Sequence, residues 1–238
     1  MARPLLALGG IALIGIGVVV ASGFFLDSHE DNDARLSQVV RSVKIETDSG
    51  SVHLRTGDVQ ATTIHRSISY HWKKPGDSYR LDGDQLVLSD CGWNCSVDYD
   101  VVVPKGATVS GKADSGSISV DGLVSADVRV ESGSVTIHNV DGPVTAKADS
   151  GDVIGDGLRG KVDAQTDSGS VRLTLEVPQD VRAQADSGDV ELVVPRDRYR
   201  VEGSSDSGDR NIGIAADSSA ARTLDLTTDS GNVTVRAA

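Results

Sequence analysis

The chain has 238 residues, a net charge of −12, only 3% aromatic residues and two cysteines. An acidic chain with no Lys/Arg run lacks the basic face that nucleic acid and anionic membrane surfaces need, so neither is expected as a charge-driven partner. There is no heptad pattern, which excludes a coiled coil.

The first 26 residues differ from the rest. Leu5 to Leu26 is apolar apart from glycines and Ser22, and carries no charge. As a helix rising about 1.5 Å per residue, such a run reaches across a bilayer core. Arg3 precedes it, and Asp27, Glu30, Asp31 and Asp33 follow. The positive flank stays in the cytoplasm, which predicts a single-pass N-terminal transmembrane helix with the C-terminal bulk outside the cell membrane. Val19 and Ala21 also suit a signal-peptidase site, which would make the protein secreted. The apolar run continues past them through Phe24, Phe25 and Leu26, which suits an uncleaved anchor. Residues 27–38 read as a linker, and residues 39–238 are long enough for one domain with a real core. Arg3 is the only charge before Asp27, so removing its +1 from −12 leaves −13 on the exported part.

An internal repeat organises that domain. DSG begins at Asp48, Asp114, Asp149, Asp167, Asp186, Asp206 and Asp229, with a near copy at Glu131. From Asp114 onward the spacings are 17, 18, 18, 19, 20 and 23 residues. Each turn glycine (Gly50, Gly116, Gly133, Gly151, Gly169, Gly188, Gly208, Gly231) is followed by Ser, Asp or Asn. Apolar or small residues alternate with polar ones on both sides of the turn, as in Val162, Ala164 and Thr166 before Asp167, and Val171 and Leu173 after it. Period-two alternation around a glycine turn predicts two half-buried strands per repeat. One two-strand repeat cannot bury its own inner face, but a stack of them can. The expected fold is therefore all-β, a flattened β-solenoid of stacked two-strand repeats. An antiparallel sandwich or barrel of short hairpins fits the same spacing. In the repeat at Asp206, Arg210 falls where an apolar residue belongs; a two-residue bulge would bring Ile212 and Ile214 back into phase.

Between Asp48 and Asp114 the pattern is interrupted. The insert, about 57–106, has candidate strands at Val59–Tyr70, Gln85–Ser89 and Val97–Val103. It holds Tyr70, Trp72, Tyr79, Trp93 and Tyr99, and outside the N-terminal segment only Tyr199 adds another aromatic. It reads as a cap over one end of the stack. The sequence CGWNC places Cys91 and Cys95 four apart. Outside the cytoplasm a local disulfide is the default, restricting the unfolded chain by about 2 kcal/mol for so short a loop. Half of a metal site is the alternative, without a second Cys or His pair close by.

The run Val97 to Leu123, VDYDVVVPKGATVSGKADSGSISVDGL, resembles the bacterial putative-adhesin family of β-strand repeat proteins, a domain of unknown function with serial SGxV repeats. The likeness rests on a strand, a Pro-x-Gly turn at Pro104–Gly106 and the repeats that follow, over roughly Val39 to Arg236. It implies a solenoid-like fold at the cell surface, and it brings no established catalytic or ligand residues to carry over.

Motifs for chemistry are few. Aspartic proteases use Asp-Ser/Thr-Gly, but they need two aspartates sharing one proton, not a ladder of equivalent turns. Asp and Ser bonding the local backbone, with Gly at positive φ, explains DSG structurally. Carboxylates stacked about 4.8 Å apart repel by roughly 0.9 kcal/mol in water. Turn hydrogen bonds or outward splay would absorb that, and so would calcium, although no GGxGxD repeat is present. His29, His53, His65, His71 and His138 show no ligand spacing such as HExxH. No GxSxG, P-loop or dinucleotide fingerprint occurs. No enzyme activity, catalytic residue, cofactor or metal site is expected. The aromatic insert, with Lys73, Lys74 and Arg80, is the candidate partner-binding patch for an envelope protein or glycan; a small core under the cap is the competing reading. The expected function is a non-enzymatic surface module, an adhesin or binding scaffold. The alternative is the ectodomain of an envelope sensor acting through a membrane partner.

Overall fold

A computed structural model describes residues 28–238. The N-terminal anchor expected over residues 1–26 lies outside the described residues. Among those described, no helix is long and apolar enough to cross a membrane.

The described chain is all-β, with 22 strands in two parallel-rich sheets. Numbered in chain order, the first sheet runs β1 (Ser28–Leu36), β4 (Thr62–Tyr70), β7 (Cys95–Pro104), β3 (Val52–Gly57), β9 (Ile118–Asp121), β11 (Val135–His138), β13 (Val153–Leu158), β15 (Val171–Leu175), β17 (Val190–Val194), β22 (Val233–Ala237), β20 (Arg210–Ile212). The second runs β18 (Tyr199–Glu202), β21 (Arg222–Ser230), β16 (Val181–Ser187), β14 (Val162–Ser168), β12 (Val144–Ser150), β10 (Ser125–Ser132), β8 (Thr108–Ser115), β2 (Ser42–Thr47), β6 (Gln85–Ser89), β5 (Tyr79–Asp82), with β19 (Ser205–Ser207) also on β21. Each repeat places one strand in each sheet, joined by its glycine turn. Equivalent positions stack in parallel register: Val162 lies beside Val144 and Val181, and Val171 beside Val153 and Val190. Parallel pairing of repeat on repeat excludes the antiparallel hairpin sandwich.

The alternation read from the sequence sets the core. The column Val43, Val109, Ala126, Val144, Val162, Val181 and Leu224 is buried, and so is the column Val52, Ile118, Val135, Val153, Val171, Val190 and Val233. Burying a side chain of this size stabilises by about 1.5–3 kcal/mol. Beside the turns the inward residues are small, among them Ala113, Ala148, Thr166 and Ala185, all buried. In β13 the register slips after Gly155, and Leu158 reaches into the space a side chain there would fill.

Stack order departs from chain order at both ends. After the first repeat, β2 and β3, the insert adds a coil on its outer side, β6 and β7; β8 and β9 then stack on the inner side. At the other end β18–β20 lie outermost, and the last two strands, β21 and β22, slot in between them and β16/β17. Each crossing holds a buried tyrosine. The Tyr99 hydroxyl donates to the carbonyls of Ser78 and Ser89, and the Tyr199 hydroxyl donates to Pro195 O at 3.0 Å. Burial pushes the Tyr99 phenol up to about 12.

Two local expectations are corrected. Residues 28–36, placed in a linker, form strand β1, antiparallel to β4 from Ser28↔Tyr70 to Leu36↔Thr62. Arg210 has no bulge around it: it pairs in register with Val233, and Ile212 with Val235. As the outermost coil, this one has water on its far side, so an exposed arginine is tolerated there. The last strand of the chain, β22, is not at an edge of the stack: it pairs with β17 on one side and β20 on the other.

Candidate functional site

Two features distinguish the edge where the second sheet turns into the first. One is the ladder of glycine turns. All eight turn glycines have positive φ, from +97° at Gly50 to +155° at Gly208 and Gly231. A Cβ on Gly169 would overlap the carbonyl of Gly151, and the same holds from coil to coil along the ladder. The glycine is thus needed for the conformation and for close stacking.

The polar residues of the turn act differently from expectation. The residue after each glycine, not the Asp or Ser before it, ties the coils together. Ser117 N donates to Ser51 Oγ (3.3 Å), Ser134 N to Ser117 Oγ (3.2 Å), Asp152 N to Ser134 Oγ (3.2 Å) and Ser170 N to Asp152 Oδ1 (2.8 Å). The column continues with Asp189 N on Ser170 Oγ (3.3 Å), Asn232 N on Asp189 Oδ1 (2.7 Å) and Asp209 N on Asn232 Oδ1 (2.9 Å). It starts at Asp98, whose Oδ1 accepts from Ser51 N at 2.7 Å. Ser, Asp and Asn share one property, a short side chain with an acceptor oxygen, which is why they alone follow the glycine. The Ser170 N–H, with Arg172 beside it at 2.8 Å, holds the Asp152 carboxyl below its ordinary value. Of the DSG carboxylates, Asp149 accepts at both oxygens from the one Arg129 nitrogen Nη2 (2.8 and 2.9 Å) and Asp114 accepts from Lys112 (3.0 Å), which offsets the repulsion along the ladder.

The second feature is the outermost turn on this edge, Asp90–Asn94. It occupies the place of a DSG turn but is closed by the Cys91–Cys95 disulfide, with Cα atoms 5.6 Å apart. Gly92 and Asn94 have positive φ, and Gly92 N donates to Asp90 Oδ1 at 2.9 Å. The neighbouring loop leaves β4 beside it: His71 N donates to Asn94 O (3.1 Å), and Lys73 N to His71 O (3.0 Å). Trp72, with φ +76°, therefore sits at the apex of a γ-turn, a rare conformation for a bulky residue. Trp72 is 81% exposed and Trp93 91% exposed. No other aromatic among the described residues is exposed to that degree.

The five aromatics expected to form one patch thus divide. Tyr99 is core. Tyr79 lies under the guanidinium of Arg66, 4.8 Å from its ring centroid, and Tyr70 packs half-buried against the core. Arg66 is itself buried, donating to Ser78 Oγ at 3.3 Å, with Asp77 at 3.7 Å. These residues hold the cap together; Trp72 and Trp93 project from it. Lys74 pairs with Glu30 of β1 at 2.6 Å, and that bond holds the Glu30 carboxyl below its ordinary value.

On the outer face of the first sheet, Ser67, His29 and Asp31 meet, the hydroxyl 3.0 Å from His29 Nε2 and 2.9 Å from Asp31. Asp31 approaches the same nitrogen, at 3.4 Å, while Nδ1 faces Ser69 Oγ at 3.3 Å. A hydrolytic triad needs serine and carboxylate on opposite ring nitrogens, so this group is not one. Nearby, Asp33 bonds His65 at 2.9 Å and raises its pKa. Among the described residues, no three His, Cys, Asp or Glu side chains converge to hold a metal ion.

The sequence profile of the Toastrack DUF4097 family matches residues 38–236. Solved structures with similarity include a putative cell adhesion protein from Clostridium sporogenes (9% identity, TM-score 0.39, 90% of this chain and 100% of that one). Two others are putative adhesins, from Bacteroides fragilis (10%, TM-score 0.41, 89% and 97%) and Parabacteroides distasonis (11%, TM-score 0.33, 86% and 96%). No curated protein matches the chain.

Proposed function

The chain belongs to the Toastrack DUF4097 family, and from that premise we propose that it is a non-enzymatic surface module: a flattened β-solenoid scaffold outside the cytoplasm, held by its apolar N-terminal segment. The observation that carries this reading is the disulfide-closed turn Cys91–Cys95. A structural disulfide belongs to an oxidising compartment, and this one stiffens the turn that displays Trp93. The apolar run Leu5–Leu26, followed by acidic residues, supplies the route out of the cytoplasm. The long polar faces and the column of inter-coil hydrogen bonds suit a rigid spacer, and the Trp72–Trp93 tip suits contact with a partner.

Topology tests the location. Ser168→Cys adds an exposed thiol in a turn, away from the cap. In intact cells with a permeabilised outer layer, a membrane-impermeant maleimide should label it fully. Labelling only after the cytoplasmic membrane is broken would refute the reading.

A further inference from the structure

We propose that the Trp72–Trp93 tip is a lipid-contact surface, seated in the headgroup region of the same membrane that the N-terminal segment enters. The inference rests on the membrane-anchored reading above and assigns the partner of its aromatic tip.

The register of β1 carries it. Ser28 pairs with Tyr70, and Tyr70 pairs with Cys95. Strand β4 runs antiparallel to both β1 and β7, so three chain segments meet at one end of the sheet: the chain entering β1, the chain leaving β4 towards Trp72, and the chain entering β7 from Trp93. Neighbouring strands lie about 4.8 Å apart, so all three fall within about 10 Å of one another. Only Asp27 separates Ser28 from Leu26, the last residue of the apolar run. Two residues reach at most about 7 Å. The headgroup layer on each side of a bilayer is itself about 5–8 Å thick. With Leu26 at the edge of the hydrocarbon, the end of the sheet that bears both tryptophans has no room to stand clear of the lipid.

The chemistry agrees with the placement. Tryptophan and tyrosine concentrate at the membrane interface, where an apolar ring and a polar N–H are both satisfied. The chain has two tryptophans, and both are here, on turns whose backbone turns them outward. Around them Lys74 is paired with Glu30 and Arg66 with Asp77, and Asp90 offsets the charge of Lys73, so the tip has no basic surplus. Contact driven by indole rings rather than by charge should not depend on anionic lipid.

Those two tryptophans make the test direct. The full chain is reconstituted in zwitterionic vesicles, and flotation establishes that it is membrane-bound. Trp72→Phe and Trp93→Phe then leave one reporter each. Expected are blue-shifted emission, strong quenching by lipids brominated near the headgroup and weak quenching by aqueous acrylamide, unchanged when a third of the lipid is made anionic or the salt is raised. Protein that floats but shows water-like emission, open to acrylamide and blind to brominated lipid, would overturn the proposal and leave the anchor standing. Indoles shielded from both quenchers would overturn it in favour of a protein occupant, such as a second copy. Protein that does not float would overturn the anchor reading and this inference with it.

Discussion

Gly169→Ala is expected to be among the most damaging single-methyl changes available in this chain. Gly169 has φ +152°, a region that residues with a Cβ enter at a cost of about 1–3 kcal/mol. Its added Cβ would also overlap the Gly151 carbonyl, which is backbone and cannot rotate away. To relieve it the two coils must part, weakening the bonds Gly151 N–H to Ser168 O (2.8 Å) and Val153 N–H to Ser170 O (3.0 Å). Each contributes about 0.5–1.5 kcal/mol. The total, about 2–6 kcal/mol, is a large share of the 5–15 kcal/mol that holds a typical domain folded. Ser170→Ala removes only the acceptor for Asp189 N–H, at about 1 kcal/mol, and Ser168→Ala and Asp167→Asn, both exposed, should stay within about 0.5 kcal/mol. Urea unfolding followed by circular dichroism, with amide exchange to localise the loss, ranks the four. Equal tolerance of Gly169→Ala and Ser168→Ala would refute the stacking account. A loss from Asp167→Asn as large as from Gly169→Ala would instead give that carboxylate a ligand, and calcium would be the first titrant.

Mass mapping of exported protein without reductant should find Cys91 joined to Cys95; two free thiols would contradict the closed turn. The His65 imidazole should titrate above its ordinary 6.5 by NMR, and Asp33→Asn should return it, because that carboxylate on β1 raises it; no change would mean that β1 does not pair with β4. Asp152 has a lowered folded pKa, so its charge stabilises the fold above the ordinary 3.8, and that contribution is lost as pH falls through the lowered value. The unfolding midpoints of wild type and Asp152→Asn should therefore differ at neutral pH and converge in acid; a constant gap would assign the effect to shape alone. Deleting residues 229–238 removes β22 from between β17 and β20, so amide protection should fall across β15 and β17; unchanged protection would return that strand to the edge of the stack.

The repeats were legible because each carries its instructions within 18 or so residues. Val162, Ala164 and Thr166, then Gly169, then Val171 and Leu173 specify strand, turn and strand, and the structure buries the inward ones as read. The rule that Ser, Asp or Asn follows the glycine was visible too; its meaning was not, because the partner of Ser170 is Asp152 in the coil before. The ends were the least legible. Arg210 looks out of phase only if a coil lies beyond it, and among the described residues none does. Ser28–Leu36 is too charged to read as a strand, with five charged or titratable residues in SHEDNDARL, yet β4 offers it an open ladder. Of the aromatic patch, spacing alone could not separate Tyr99, which points into the core, from Trp93, on a turn four residues before the β7 core begins at Val97.

The reversed order at both ends solves a problem that every stack of parallel strands has. An end coil exposes unpaired N–H and C=O groups and would recruit another chain. Here the outermost strands are poor templates. At one end β1 is densely charged and β5 has four residues; at the other, β18 has four and β20 three, with Arg210 and Asn211 on it. Because the chain passes over each end and returns, unravelling an outer coil also requires pulling on an inner one, with Tyr99 or Tyr199 in the way. Strand addition is therefore disfavoured at either end, and contact must come through side chains. Eight inter-strand steps from β7 to β20, at about 4.8 Å each, set the far coil about 40 Å from the tryptophan tip. If the tip rests on lipid, the acidic turns Asp48 to Asp229 share its edge, and anionic headgroups would repel them. Such repulsion would favour a stack that stands up from the membrane over one that lies along it.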